Sequence, residues 1–502
     1  MAPSPLSSGP AAAPSGDGLF GPLAITLLLG ALTVWRVLSV AALGIDLSFD
    51  EAQYWLWAQQ PAFGYFSKPP MVAWSIAATT AVCGEGEVCV KAGSALAHFG
   101  AALAIYHVGR RLFDARIGFW SALAYALMPG VSFSALVITT DPFLLMFWAL
   151  ALLALVRVRD GGGLAWWLAL GLFVGLGLLA KYAMLFFVIS LVLALAWVPS
   201  LRPQARTFGP WAALAVAALC YAPNLWWNWS NDFVSYAHTK ANANLGGDLF
   251  QPGELAEFVG SQFGVFGPIF FAVLLWIVIA RWRATVTDER FRLLLAFTLP
   301  VLAVMTFESL LSRANANWAA TAYVGGSLLV TAWLLTRQRM RLFKAAIVLH
   351  LAVIFVLHNF SLAAPLVGIE PGGKLDPLKR VRGWDAMGEN IAALSAGQPD
   401  ARLLFDDRKT MATLVYYVRP HPFDARMWNP DGIIENHYEL EMALEAGDAG
   451  PFLYVTRLDA PDHVVTRFAD ARQVAVLRVS LSAEASLTLH VWRLDGFEGY
   501  GS

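Results

Sequence analysis

Three ionisable residues lie where their side chains could do chemistry in an otherwise apolar chain. Asp50 directly follows a long uncharged segment, Lys68 precedes Pro69 and Pro70, and Asp141 separates two further uncharged segments. A carboxylate can accept a proton from an attacking group or orient that group, and an ammonium at a helix start favours an anion such as phosphate. The simpler explanations are helix capping for Asp50 and Asp141, and a lysine that reaches the membrane interface for Lys68.

Two more cationic residues also lie next to apolar segments of the chain. Lys181 lies between two apolar segments, and Arg313 lies in the polar stretch from Glu308 to Trp318. Charged groups at or inside a membrane are costly unless they are paired or hydrated, and the planar guanidinium of Arg313 can hold a phosphate or a carboxylate. Two carboxylates and three cations on one side of a membrane predict a site for a charged group carried on a lipid.

The composition excludes several classes of protein. The 502 residues are 58% hydrophobic and 14% charged, and the mean hydropathy is +0.56, whereas an ordinary soluble protein has about 25% charged residues. A formal net charge of −1 leaves no large basic surface for nucleic acid. Three cysteines are too few for a disulfide framework or a cysteine-rich metal site. The sequence therefore predicts a membrane protein.

Uncharged segments near the length of a bilayer crossing, about 17–25 residues, predict eleven membrane spans. Backbone amides in lipid must be satisfied within the segment, so each span is expected to be α-helical. The predicted spans are Phe20–Ile45, Ala92–Gly109, Ile117–Thr140, Pro142–Val156, Gly161–Ala180, Tyr182–Leu201, Thr207–Asn231, Phe258–Ala280, Leu293–Phe307, Ala314–Thr336 and Ala345–Ile369.

The distribution of Lys and Arg among the loops predicts the orientation. Alternate loops carry fifteen of these residues, from Arg110 to Lys344, and the opposite loops carry five. The richer side is expected to be cytoplasmic. This places the N-terminus in the cytoplasm and the C-terminal region outside.

The first external region, residues 46–91, is too long for a simple connection. It predicts two interfacial helices, Asp50–Gln60 and Pro69–Val82, which are too short to span a bilayer. It also contains Cys83 and Cys89, which an oxidising compartment would favour joining in a disulfide.

The C-terminal region has the composition of a soluble domain, in which strand-like and helical segments predict a small α/β fold. The strand-like segments are Arg402–Phe405, Phe452–Thr456, Val474–Ser480 and Leu487–Leu494, and the helical ones are Trp384–Leu394 and Thr410–Val418. The predicted organisation is a disordered tail over residues 1–19, a membrane domain over 20–369 and an external α/β domain over 370–502.

Five short motifs follow one another along the membrane region. They are Asp50-Glu51-Ala52-Gln53-Tyr54-Trp55, Gly64-Tyr65-Phe66-Ser67-Lys68-Pro69-Pro70, Thr140-Asp141, Ala180-Lys181-Tyr182, and Asn317-Trp318 with Tyr323. In this order they resemble the bacterial GT-C glycosyltransferases of the protein-mannosyltransferase and lipid A aminoarabinose-transferase superfamily. The first two motifs are most similar to the branch that decorates lipopolysaccharide, which includes the galacturonosyltransferases of the core and of lipid A.

The resemblance implies an inverting glycosyltransferase of the bacterial inner membrane, with a GT-C fold and a periplasmic active site. The donor would be a sugar on a polyprenyl phosphate, with galacturonic acid or a related charged sugar as the best match. The acceptor would be lipid A or the lipopolysaccharide core. Transfer to Ser or Thr of a protein and a lipid or sugar transporter are the alternatives. A transporter is expected to show inverted repeats and midplane charges, and Arg36 is the main mid-span charge.

The resemblance also implies roles for individual residues. Asp50 would activate or orient the acceptor, and Lys68 would bind the donor phosphate as charge develops on the leaving group. Asp141 would position the substrate, and Arg313 would give a second contact to phosphate or uronate. The remaining pocket residues would be Glu51, Tyr54, Tyr65, Lys181, His238 and Tyr323.

The sequence predicts no cofactor. Gly368–Lys374 has the glycine and lysine spacing of a phosphate-binding loop, but Leu375 replaces the Ser or Thr and an apolar span precedes it. No two histidines have His-x-x-x-His spacing, and a divalent metal ion is left open without support. The expected partners are the lipid-linked donor, the lipid A or lipopolysaccharide acceptor and membrane lipids, with no nucleic acid.

Overall fold

The protein is described here by a computed structural model that covers residues 18–242, 249–376, 378–448 and 450–500. Helices dominate the first two thirds of the chain. They are α1 (Pro22–Leu43), α2 (Phe49–Gln59), α3 (Met71–Cys83), α4 (Glu87–Leu112), α5 (Ala115–Ala126), α6 (Pro129–Ser134), α7 (Asp141–Arg159), α8 (Gly163–Ala180), α9 (Leu185–Trp197), α10 (Gly209–Ser230), α11 (Val234–Asn242), α12 (Pro252–Val265), α13 (Pro268–Ala280), α14 (Trp282–Thr285), α15 (Glu289–Ala296), α16 (Leu299–Leu311), α17 (Ala322–Thr336), α18 (Met340–His358) and α19 (Phe360–Ala363).

Six helical segments of the described chain are long and apolar enough to cross a membrane, and the bent pair α12–α13 would be a seventh. The six are α1, α4, α7, α8, the combined α15–α16 segment and α18. Shorter apolar helices occupy Met71–Cys83, Tyr182–Trp197 and Ala322–Thr336. The chain is thus a multi-pass membrane protein, and the predicted count of eleven spans is not confirmed.

Proline explains why some predicted spans are broken helices. Pro129 starts α6 inside the predicted span 117–140, and Pro268 starts α13 inside the predicted span 258–280. Proline lacks the amide hydrogen and clashes with the preceding turn, so a helix usually ends before it. At the second break the chain bends by 117°. Gly267 has a φ of +89° there, and a Cβ on it would overlap the His350 ring.

The first external region contains α2 and α3 close to the two predicted interfacial helices. Ser48 caps α2 in a capping box: its amide donates to Glu51 Oε2 at 2.8 Å, and its Oγ accepts from the Glu51 amide at 3.4 Å. Helix α3 ends at Cys83, and a disulfide joins that residue to Cys89 in α4. The disulfide ties the second short helix to a long helix of the bundle.

The C-terminal region forms a mixed sheet flanked by helices. Its elements are α20 (Trp384–Ala396), β1 (Arg402–Phe405), α21 (Arg408–Tyr417), β2 (Arg426–Met427), α22 (His437–Glu441), β3 (Phe452–Thr456), α23 (Asp462–Val465), β4 (Phe468–Ser480) and β5 (Ser486–Phe497). The strand order is β2-β1-β3-β5-β4. Strand β1 pairs in parallel with β2 and β3, and β5 pairs antiparallel with β3 and β4. Strand β3 is buried throughout.

Helix α21 of this domain packs against α2 of the first external region. Tyr417 Oη accepts from the Leu47 amide at 2.7 Å and donates to Glu87 Oε1 at 3.1 Å. The Trp384 amide donates to Asp46 Oδ2 at 2.7 Å, and burial raises the pKa of Asp46 to about 6. These hydrogen bonds fix the C-terminal domain over the helix that carries Asp50.

Candidate active site

Five charged side chains from five separate parts of the chain meet in one place, which we call the charge cluster. They are Asp50 of α2, Lys68 of the α2–α3 loop, Asp141 at the start of α7, Lys181 directly after α8, and Arg408 at the start of α21. Lys68 interacts electrostatically with the other four. The elements that bring them together are the ends of two long apolar helices, the first external region and the C-terminal domain.

Asp141 is held on both oxygens. Lys181 Nζ lies 2.6 Å from Oδ1, and Asn317 Nδ2 donates to Oδ2 at 2.6 Å. The side chains of Asp141 and Lys181 are only 13% and 21% exposed. Because both of its oxygens are held, this carboxylate has a fixed position. A fixed carboxylate is suited to orienting a substrate.

In the described part of the chain, Asp50 is held on one oxygen only. Arg408 Nη1 lies 3.2 Å from Asp50 Oδ1 and donates to Gln53 Oε1 at 2.9 Å. The Asp50 side chain is 48% exposed, so its second oxygen can meet an acceptor. The Arg408 guanidinium also lies 4.9 Å from the ring centroid of Phe49. This packing fixes the arginine against α2.

Arg408 lies in a run of charged residues that the sequence leaves open as an acceptor contact or as strand-end caps. The run Asp406-Asp407-Arg408-Lys409 at a strand end is visible in the sequence, but strand-end charges are commonly caps. Asp407 is indeed the cap of α21, since its side chain accepts from the Thr410 amide. Two successive cations at the start of a helix, where the helix dipole disfavours positive charge, are the signal that could have identified it.

Lys68 differs from the other cations of the cluster. Among the described residues its Nζ makes no ion pair or hydrogen bond. Burial and the neighbouring Lys181 lower the pKa of Lys68, Arg408 lowers it further, and Asp50 and Asp141 partly offset this. A desolvated ammonium without a counter-ion is suited to binding an anion.

Aromatic packing fixes the loop that carries Lys68. The Tyr65 ring stacks on Trp57 with centroids 4.6 Å apart, and its hydroxyl donates to Trp57 O at 2.9 Å. The Tyr65 amide donates to Lys68 O at 3.1 Å, and a Cβ at Gly64 would overlap the Trp227 ring. Burial raises the pKa of Tyr65 to about 12. Tyr65 therefore supports the loop with its ring and hydroxyl.

Glu51 connects the two segments that carry the carboxylates. Its Oε1 accepts from the Ile138 amide at 2.8 Å, and Lys91 Nζ lies 3.8 Å from its Oε2. Glu51 is 1% exposed. It joins the start of α2 to the segment just before Asp141, so the structure places it beneath the cluster rather than in the open site.

Tyr54 and His238 lie at the edge of the cluster. Tyr54 packs 5.1 Å from the Trp57 ring, and burial together with Asp50 raises its pKa. The His238 ring meets Phe66 edge-on at 5.2 Å. Burial, Lys68 and Arg408 lower the pKa of His238 to about 4. His238 is thus neutral near pH 7 and can exchange hydrogen bonds with a substrate without adding charge.

Among the described residues, no hydrogen bond or ion pair joins Arg313 or Tyr323 to these five side chains. Arg313 is exposed, and in the described chain it makes no contact with the cluster. Tyr323 is buried in the bundle, where its hydroxyl donates to Gln262 Oε1 at 2.6 Å. Gln262 Nε2 donates to Ala316 O at 3.2 Å. Tyr323 therefore supports, through Gln262, the turn that presents Asn317 to Asp141.

Known proteins are similar in sequence to this chain. The family described as dolichyl-phosphate-mannose-protein mannosyltransferase matches residues 67–227. The lipid A galacturonosyltransferase RgtD of Rhizobium johnstonii is 35% identical over 439 residues, which are 86% of this chain and 90% of the relative. The undecaprenyl phosphate-alpha-4-amino-4-deoxy-L-arabinose arabinosyl transferase 2 of Pseudomonas fluorescens is 29% identical over 219 residues, 40% of this chain and 39% of that protein.

A solved structure shows the same fold. The crystal structure of ArnT from Cupriavidus metallidurans bound to undecaprenyl phosphate matches with a TM-score of 0.63 and 14% identity, over 93% of this chain and 97% of that chain. The superfamily expected from the motifs is thereby confirmed. The chain belongs to the family of the lipid A galacturonosyltransferase RgtD, and it is a membrane glycosyltransferase of the GT-C superfamily.

Proposed function

We propose that the protein transfers galacturonic acid from a polyprenyl phosphate donor to lipid A or the lipopolysaccharide core, with inversion at the anomeric carbon. The observation that carries the proposal is the desolvated Lys68 between two carboxylates that differ in how they are held. The relative that spans most of the chain is named for galacturonosyl transfer to lipid A, and an ArnT structure of the same fold holds undecaprenyl phosphate. The reaction would take place on the periplasmic face of the inner membrane, with the N-terminus cytoplasmic.

Lys68 would bind the donor phosphate and stabilise the leaving group. As the bond between the anomeric carbon and the phosphate oxygen breaks, the bonding electrons stay on that oxygen. An ammonium that is already in place and has no ion-pair partner among the described residues then stabilises the developing charge without reorganisation. Binding of the phosphate also places a negative charge directly against the desolvated ammonium, which Asp50 and Asp141 offset only in part.

Asp50 would activate or orient the acceptor, and Asp141 would hold the sugar. Asp50 has one oxygen without a partner in the described chain and is half exposed, so it can take a proton from an acceptor hydroxyl. Asp141 is held by Lys181 and Asn317, and this fixed geometry suits hydrogen bonds to sugar hydroxyls. For a phosphate acceptor, which is already anionic, Asp50 would orient rather than deprotonate.

The position of Arg408 favours a donor whose sugar carries a negative charge. Within the described residues only its Nη1 contacts protein acceptors, which leaves the other guanidinium donors for a ligand. A planar guanidinium recognises a carboxylate by two parallel hydrogen bonds. The cluster would therefore hold two anionic groups of one donor, the phosphate at Lys68 and the uronate carboxylate at Arg408.

The experiment uses the purified full chain in proteoliposomes that contain lipid A and a polyprenyl phosphate galacturonic acid donor. Mass spectrometry of lipid A is expected to show an increment of one hexuronic acid, strongly reduced with Asp50→Asn and unchanged with the control Asp470→Asn, which changes an exposed carboxylate on β4. Unmodified lipid A, with the sugar found instead on added protein, would replace this proposal by transfer to Ser or Thr.

A further inference from the structure

A second basic site lies around two adjoining cavities between the ends of α13 and α17 and the start of α18. The larger cavity has a volume of about 590 Å³ and is lined by Trp276, Trp333, Arg339 and Arg341 among others. The smaller one shares three of these residues and adds two more arginines, Arg281 and Arg337. We call the two together the arginine cavity.

The arginines of this cavity have no acidic partners among the described residues. In the described chain Arg281, Arg337, Arg339 and Arg341 form no ion pair. Three arginines in neighbouring loops on the same side do: Arg111 and Arg159 lie 3.1 and 2.9 Å from Asp160, and Arg290 lies 2.6 Å from Asp288. A general excess of arginine on one side of the membrane explains the charges but not why four unpaired ones surround one cavity.

The turn between α17 and α18 fixes these arginines in space. Gln338 has a φ of +55°, and the Arg339 amide donates to Leu334 O at 2.8 Å. This is the hydrogen bond of a helix C-cap with a left-handed residue. The backbone of the turn therefore presents its arginines to the cavity in a defined arrangement rather than on a loose loop.

Two tryptophans form an apolar wall. The Trp333 ring is 5% exposed and meets Trp276 edge-on with centroids 4.9 Å apart. The Arg281 guanidinium lies 4.9 Å from the Trp276 ring centroid. Tryptophan is enriched where a membrane meets water, because its ring has an apolar body and one polar N–H.

The position of the cavity favours a lipid over a free anion. Helix α17 begins beside the turn that holds Asn317 and ends at the cavity, so its 15 residues separate the cavity from the charge cluster by about 22 Å. Large apolar side chains are exposed nearby: Ile279 is 79% exposed and Leu342 is 40% exposed. Acyl chains could cover these side chains while a headgroup phosphate meets the arginines.

We propose that the arginine cavity binds the headgroup of an anionic phospholipid at the membrane face opposite the charge cluster. The phosphate would accept hydrogen bonds from Arg339 and Arg341, and the glycerol part would lie against the two tryptophans. This site is separate from the transfer reaction, and it would hold the α13, α17 and α18 ends together.

Native mass spectrometry of the full chain in detergent tests the site, with dioleoyl phosphatidylglycerol compared against dioleoyl phosphatidylcholine. Wild type is expected to prefer the anionic lipid. The double variant Arg339→Gln/Arg341→Gln is expected to lose about fivefold of that preference for each arginine removed. The matched control Arg283→Gln/Lys344→Gln removes two exposed charges outside the cavity lining and is expected to retain the preference.

Three results would overturn the proposal. An equal loss of preference in the control would mean that general charge attracts the lipid. Displacement of phosphatidylglycerol by an equal concentration of glycerol 3-phosphate would mean that the site binds a free phosphate rather than a lipid. No preference in wild type would mean that the cavity selects no anion. Because all four substituted side chains are exposed, the melting temperatures without added lipid are expected to agree, and this comparison shows that both variants fold.

Discussion

Two groups of basic side chains lie at opposite ends of the helix bundle, and they differ in their surroundings. In the charge cluster, Lys181 and Arg408 lie 2.6 and 3.2 Å from carboxylate oxygens, and Lys68 is desolvated beside them. Around the arginine cavity, the four arginines face no carboxylate within the described residues. Ion pairs fix the positions of charged groups at a site for group transfer. Unpaired arginines instead leave their charge available to an anionic ligand.

The energetics of ion pairs support this distinction. A partly buried pair loses much of its electrostatic gain to desolvation, so the pairs of the charge cluster are poorly explained as a source of stability. They are better explained as preorganisation, which places charges before the transition state forms. At the arginine cavity the arginines are exposed and have no ion-pair partner among the described residues, so their charge remains available to an anionic headgroup.

Removal of the Lys68 charge is expected to have the largest effect. Lys68→Gln should lower kcat by about 10²–10³-fold, the usual cost of losing one preorganised charge-stabilising group. Steady-state kinetics with the galacturonosyl donor would measure this, with Lys374→Gln as a control at an exposed lysine of the C-terminal region. If the kcat of Lys68→Gln is within threefold of wild type, Lys68 is no more important than a surface charge. The distinction between the charge cluster and the arginine cavity would then fail.

Asp50→Asn is expected to have the next largest effect, a fall in kcat of about 10²-fold, if Asp50 accepts the proton of an acceptor hydroxyl. Asp141→Asn should instead raise the donor KM more than it lowers kcat, since Asp141 is held on both oxygens and would only position substrate. Separate determination of kcat and KM for the two variants distinguishes the roles. Equal changes in both parameters would show that the two carboxylates act alike.

Arg408→Gln is expected to act on donor choice. Its preference for a galacturonosyl over a galactosyl donor should fall about tenfold. This is a moderate share of the binding free energy that one charge-assisted hydrogen-bonded pair contributes. If Arg408 only positions Asp50, both donors will slow by the same factor and the preference will stay. Competition between the two donors measures the ratio, and Arg472→Gln, at an exposed arginine on β4, is the control.

The sequence predicts the features that follow from the free-energy cost of placing a charged side chain in a membrane. Asp50, Lys68, Asp141 and Lys181 interrupt or border uncharged segments, and the structure brings all four together. Strands β1 and β3 have the predicted bounds because each is a short apolar run between polar turns.

Other features depend on contacts that no local pattern encodes. Arg408 meets Asp50 across 358 positions of the chain, and the two successive cations at this helix start do not show that Asp50 is the partner. The sequence resemblance implies that Tyr323 lines the pocket, yet it bonds Gln262 inside the bundle. Hydropathy marks apolar segments without showing where proline divides them, which is why the predicted span 258–280 is a bent pair of helices.

The pH dependence of donor use is expected to give the smallest effect, a change of a few-fold. Only the ammonium form of Lys68 can bind the phosphate, and burial lowers its pKa below the ordinary value of 10.5. The free enzyme therefore loses this proton at a lower pH than an exposed lysine would, and kcat/KM for the donor should fall as pH rises through the lowered pKa. Bound phosphate favours the charged form, so kcat should fall at a higher pH than kcat/KM, since the two report the bound and free enzyme. Lys68→Arg, which stays protonated, should move the decline in kcat/KM to higher pH. An unchanged profile in this variant would assign the decline to another group. Lys68 would then not be the desolvated cation that distinguishes the charge cluster from the exposed arginines of the arginine cavity.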